Sequence, residues 1–181
     1  MHGPHAKLSP NDSESPDGRL SRVSFRFRKA GDQDAGAVLQ CLHVAFAPYE
    51  NHYTPEGFAD TTLTKDTVHQ RIAAMTVFVA EEEQAGIIGT IACNAVAGPA
   101  DEGHIRGMAV LPAWQGHGIA DALLAAVEAE LRDLKCSRIT LDTTAPLQRA
   151  IRFYERNGFR ASGNVGEFFG MPLYEYVKDL R

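Results

Sequence analysis

A chain of 181 residues, 44% of them hydrophobic and 23% charged, has the size and balance of one soluble globular domain. Its formal net charge of −5, with lysines and arginines scattered and no basic stripe, argues against a nucleic-acid partner. Neither a run of about 18 apolar residues nor a basic-then-apolar leader stands in the sequence, so a cytoplasmic protein with no membrane partner is expected.

Residues 1–21, rich in Ser, Pro, Asp and Gly, offer too little apolar surface to offset the entropy of ordering and are expected to be a disordered tail. A single domain over residues 22–181 is expected to follow. Val23, Phe25 and Phe27 alternate with Ser24, Arg26 and Arg28, the period of a half-buried strand. Asp32 is placed to cap the next helix, which carries Val38, Leu42, Ala45 and Phe46 on one face.

The stretch APYENHYTPEGF reads as a loop before a second helix near Thr64 to Ala74. TVFVAEEEQAGIIGTIACNAV predicts a hairpin turning around Glu82 to Gly86, with Glu81 to Glu83 as a solvated turn. GHIRGMAVLP predicts a strand closed by Pro112, which cannot donate to a sheet ladder. Ile119, Leu123, Val127, Leu131 and Leu134 then recur at helical spacing, with Lys135 at the negative end of the helix. SRITLDT reads as a buried strand, PLQRAIRFYERNG as a helix ended by Gly158, and FRASG and PLYEYVKDL as the last strands. The resulting order, β-α-α-β-β-β-α-β-α-β-β, predicts an α/β fold (α+β mixed sheet) with helices on both faces.

Cys41, Cys93 and Cys136 have neither metal-ligand spacing nor an even disulfide framework, so buried thiols in a reducing compartment are expected and no metal is.

The segment Gln115 to Ala120 reads Gln-x-x-Gly-x-Ala at a junction between strand and helix. At a helix N-terminus the free amides and the positive end of the dipole converge, and Gly116 and Gly118 let oxygen atoms approach the backbone. That describes a pyrophosphate cradle. A P-loop would need a Gly-Lys-Ser/Thr ending, and the dinucleotide fingerprint would need a glycine where Asp121 stands.

The succession HIRGMAVLPAWQGHGIADALL, ITLDTT and AIRFYERNGF closely resembles the GCN5-related N-acetyltransferase (GNAT) superfamily over about Phe25 to Lys178, most strongly from Ile105 to Phe159. The resemblance implies a GNAT-type acyl-CoA N-acyltransferase fold and transfer of an acetyl group from acetyl-CoA (coenzyme A) to a primary amine of a small molecule or protein. It implies that Met108, Ala109 and Val110 lie along the pantetheine arm, the amides of Met108 and Val110 making the contacts. Gln115, Gly116, His117, Gly118, Ile119 and Ala120 would form the phosphate loop. Tyr154 matches the tyrosine that family members place near the sulfur, implying a general acid. His104 stands where many relatives carry a Glu that takes the amine proton, and a neutral imidazole with a pKa of about 6.5 suits that task.

One departure from the family pattern is Leu147, where many relatives have an Asn that touches the cofactor; Gln148 and Thr144 are candidate replacements. Acceptor recognition in the family falls to the segment between the first two helices and to the last strands, which here offer Phe46, Tyr49, Glu50, His52 and Tyr53, then Phe168, Phe169 and Tyr174, while Arg106, two residues after His104, faces the same side of its strand. Aromatics with Glu50 would suit a cationic amine, whereas Arg106 would repel one or bind an anionic group. Two other function classes stay open: a non-catalytic coenzyme A-binding module, and an acyltransferase with a different acyl donor or acceptor. The resemblance also admits a homodimer.

Overall fold

The computed structural model describes residues 24–96 and 101–180; the expected tail over residues 1–21 lies outside them. Seven strands form one mixed sheet in the order β1-β2-β3-β4-β5-β7-β6: β1 (Phe25–Lys29), β2 (Thr76–Glu82), β3 (Gly86–Val96), β4 (Glu102–Val110), β5 (Arg138–Thr143), β6 (Arg160–Phe168) and β7 (Met171–Asp179). Every neighbouring pair is antiparallel except β4 and β5.

Helices cover both faces. On one lie α1 (Ala35–Phe46), α2 (Pro55–Thr62) and α3 (Lys65–Ala74), and on the other α4 (Ile119–Asp133) and α5 (Gln148–Arg156). Ile119, Leu123, Leu124, Val127 and Leu131 of α4 are buried against Ile88, Ile105, Ile139 and Leu141 of the sheet. A smaller core joins Val38, Cys41 and Leu42 of α1 to Val68, Val79 and Ala109. The three cysteines are buried and free; burial pushes the Cys41 and Cys93 thiols up to about 12.

Three local features depart from the sequence reading. The proline-rich stretch after α1 is a 3₁₀ segment, Ala47–His52, followed by the additional helix α2. Thr54 caps α2 by accepting from the Gly57 amide at 3.2 Å, and Pro55 fills a first-turn position that needs no amide donor. Near the start of the domain, Asp32–Asp34 is a 3₁₀ turn and α1 begins at Ala35. Asp34 there binds the Arg28 guanidinium with both carboxylate oxygens, at 2.7 and 2.9 Å. Finally, Glu81 belongs to β2 and accepts from Arg26 and Arg28 across the strand pair, while Glu82 accepts from the turn amides of Gln84 and Ala85. The guanidinium groups beside it hold the Glu81 carboxyl down to about 2.

The sheet divides at its centre. On its β3 side, β4 is bulged: Thr90 faces Ala109 and Ala92 faces Arg106, so Ile91 opposes both Gly107 and Met108. Gly107 adopts a φ of +59°, which explains a glycine there. On the other side, β4 pairs with β5 only from Glu102 to Ile105, opposite Arg138 to Leu141. Beyond that point the two parallel strands separate and the edge of β4 is open.

Candidate active site

The Leu111 amide donates to Ile88 O of β3 at 2.9 Å. Strand alternation therefore turns the Ala109 amide toward β3 and the amides of Val110 and Met108 toward the open edge. The Val110 carbonyl, on that same edge, accepts from Gln115 Nε2 at 3.0 Å, while Gln115 Oε1 accepts from Arg149 Nη1 at 2.5 Å. Gln115 thus acts as a strut between the end of β4, the loop before α4, and α5.

Gly116 and Gly118 have φ of +85° and +77°, and a Cβ at either would meet nothing within 4 Å. Their role is conformational: the left-handed region costs a residue with a side chain roughly 1–2 kcal/mol. Gly118 is the N-cap of α4. The first intrahelical bond of α4 at this end runs from the Ala122 amide to Gly118 O, and none of the amides from Gly116 through Asp121 donates to a protein acceptor among the described residues. Six consecutive amides are left for an external acceptor, and an anion fits them without a basic side chain.

A cavity of about 350 Å³ opens at this loop and follows the gap between β4 and β5, lined by Gly116, Gly118, Val110, Met108, Leu147 and Tyr154 among others. Tyr154 is 6% exposed. Its hydroxyl meets Met108 Sδ at 3.2 Å, and its ring packs edge-on to Phe153 and Phe159. Burial raises the phenol pKa well above its usual 10, so the group keeps its proton across the physiological range.

A second, smaller cavity of about 100 Å³ lies alongside and shares Phe46, Thr143 and Leu147 with the first. Arg71, Arg106, Asp60 and Tyr53 line it. The Tyr53 hydroxyl and Thr144 Oγ1 are 2.6 Å apart, which ties the 3₁₀ segment to the loop after β5. Thr143 Oγ1 is the one buried side-chain oxygen or nitrogen without a hydrogen-bond partner among the described residues.

His104 of β4 lines neither cavity. Its Nδ1 is 2.9 Å from Thr140 Oγ1, which itself donates to Glu102 at 3.2 Å. The same Thr140 hydroxyl lies 3.3 Å from Gly103 O, and the other ring nitrogen, His104 Nε2, lies 3.7 Å from Asp142. Burial lowers the His104 pKa below 6.5 despite the opposing Asp142 carboxylate.

Phe46 and Tyr49 line the larger cavity, as do Ala109, Gln115, Ile119 and Ala120. Glu50 is exposed on the 3₁₀ segment and lines neither cavity. His117 also stays outside, exposed, with Nδ1 3.2 Å from Trp114 O. Gln148 Nε2 donates to Ala145 O within its own turn, and Leu147 adds an apolar wall between the cavities. Arg71, Arg149 and Thr143 carry no local sequence signal: each is one ordinary residue of a helix or strand, brought to the site only by tertiary packing.

A split mixed sheet with a glycine-rich, amide-lined helix start at the split defines an acyltransferase scaffold. The model of the acetyltransferase (GNAT) family matches residues 40–159, and the chain belongs to that family. It is 38% identical over 71 residues to the aminoglycoside N(6')-acetyltransferase type 1 of Stenotrophomonas maltophilia, a match spanning 39% of this chain and 46% of that protein. Its fold is similar to the PaiA N-acetyltransferase of Thermoplasma acidophilum in complex with coenzyme A, with a TM-score of 0.72, 16% identity, and 86% and 99% of the two chains covered. It is also similar to yncA of Salmonella typhimurium with acetyl-CoA, with a TM-score of 0.67, 20% identity, and 87% and 95% covered.

Proposed function

We propose that this chain transfers the acetyl group of acetyl-CoA to a primary amine by direct attack while both are bound. The observation that carries this reading is the run of six unpaired amides from Gly116 to Asp121, opening into a cavity that reaches Tyr154. Gly116 through Asp121 would hold the pyrophosphate, and the open edge of β4 would pair through Met108 and Val110 with the pantetheine arm.

Bound acetyl-CoA supplies an acetyl thioester whose carbon–sulfur bond breaks as the carbon–nitrogen bond forms. The open-edge amides of β4 are the available donors for charge developing on the carbonyl oxygen. The His104 imidazole takes the proton that the amine must lose, through water because it lies outside the cavities. Tyr154 gives its phenolic proton to the leaving sulfur and recovers one from solvent. Phe46 and Tyr49 line the side from which the amine enters.

The partial relative acts on aminoglycosides, which are polycations, but the smaller cavity here carries two guanidinium groups against one carboxylate. That balance disfavours a polycationic acceptor. To test the central reading, the protein is incubated with acetyl-CoA and a mixed panel of amines and the products are weighed by mass spectrometry. Acetyl-CoA-dependent acetylation of an amine is expected, whereas thioester consumption without any acetylated amine would contradict it.

A further inference from the structure

The Arg71 side chain has no conventional structural duty. It projects from α3 into the smaller cavity, lies 2.8 Å from where a Gly107 Cβ would stand, and donates no side-chain hydrogen bond among the described residues. Its charged neighbours are Arg106, which repels it, and Asp60. Arg106 meets Asp60 only loosely, at 3.9 Å, with both side chains nearly half exposed. Two guanidinium groups therefore share a single carboxylate. Thr143, which lines both cavities, has a buried hydroxyl with no partner among the described residues.

A half-buried guanidinium without a hydrogen-bonded anion carries a cost, as does an unpaired buried hydroxyl. Both costs fall when one small oxyanion enters, because guanidinium forks and a hydroxyl are complementary to its lone pairs. Together with the acetyl-transfer reading on which it rests, the geometry points to an acceptor that carries both the reacting amine and a small oxyanion, a carboxylate in a free amino acid, held by Arg71, Arg106 and Thr143. Arg106 lies two residues from His104 on β4, so anchoring the oxyanion there brings the acceptor to the strand that carries the proposed base. In the step itself the amine nitrogen bonds to the acetyl carbon, the thiolate leaves and is protonated, and the oxyanion is unchanged.

Matched acceptors provide the test: amino acids, their carboxamides, their decarboxylated amines and the corresponding aminophosphonates, each assayed with acetyl-CoA by mass spectrometry. The carboxylates should exceed the amides at least about tenfold in kcat/KM, and the ratio should collapse toward one in Arg71→Gln and Arg106→Gln, mainly through KM. Arg106→Gln alters a half-exposed side chain and keeps the test decisive if Arg71→Gln does not fold. A phosphonate accepted in place of the carboxylate would retain the oxyanion site and reassign its natural ligand. Amides or decarboxylated amines acetylated as well as the acids would overturn the inference while leaving acetyl transfer intact. Absence of acetylation for every amine would remove both.

Discussion

Replacing Tyr154 by Phe removes one oxygen from the middle of the site and little else. The hydroxyl's partner is a thioether sulfur at 3.2 Å, a weak acceptor, and the rings of Phe153 and Phe159, each with its centroid 5.4 Å away, remain packed. A stability change under about 1 kcal/mol is therefore expected, or a few degrees at most in Tm. The chemical cost should be larger. General acids contribute on the order of 10²–10⁴-fold, and a thiol leaving group with a pKa of about 8.5 puts the expectation near the low end, about 10²-fold in kcat or roughly 2.7 kcal/mol. Steady-state kinetics with several amines beside a thermal melt separates the two effects. Because burial holds the phenol proton well beyond the usual range, wild type should show no basic limb from this group up to about pH 10. A kcat within twofold of wild type for every amine, or a melt depressed enough to explain the lost activity, would refute the proton-donor role.

His104→Gln should abolish the acidic limb of kcat/KM, which in wild type lies below about pH 6.5 because burial favours the neutral imidazole; an unchanged limb would exclude His104. Leu131→Ala should cost about 2–5 kcal/mol in denaturant titrations, since the side chain is fully buried. Gly103→Ala would place a Cβ 2.6 Å from both Leu131 methyls, so it should destabilise alone and cost less when Leu131 is also Ala. The Arg28 hydrogen bonds hold the Asp34 carboxyl below its ordinary range. The stabilisation is therefore full above about pH 4 and is lost as pH falls through the depressed folded value, so Asp34→Asn should lower Tm at neutral pH and progressively less in acid.

Much of the fold and part of the site were legible where one residue's neighbours in sequence are also its physical environment. The helix α4 announced itself through apolar spacing from Ile119 to Leu131, and the loop before it through Gly116 and Gly118, whose backbone conformations few other residues adopt. The helix α2 was hidden because Pro55 and Gly57 read as loop punctuation. Pro55 instead occupies the first turn, and a Cβ at Gly57 would stand 3.1 Å from the Thr54 Oγ1 that caps the helix, which favours a glycine there. Only FRASG of β6 was legible as strand, since the strand is exposed along nearly its whole length and shows no alternation. Arg71 reads as one more solvated charge on a polar helix. Its position against Gly107 depends on how α3 packs on the bulged strand, and no local pattern encodes that. Glu50, chosen for its charge among aromatics, lines neither cavity for the same reason.

The most direct test of the account is a calorimetric titration of the full chain with acetyl-CoA and, separately, with S-acetylpantetheine, which keeps the thioester and arm but lacks the pyrophosphate. If the six amides from Gly116 to Asp121 hold the pyrophosphate, acetyl-CoA should bind at least about tenfold more tightly, a difference of roughly 1.4 kcal/mol or more. Equal affinity for the two, or no binding of acetyl-CoA, would contradict it.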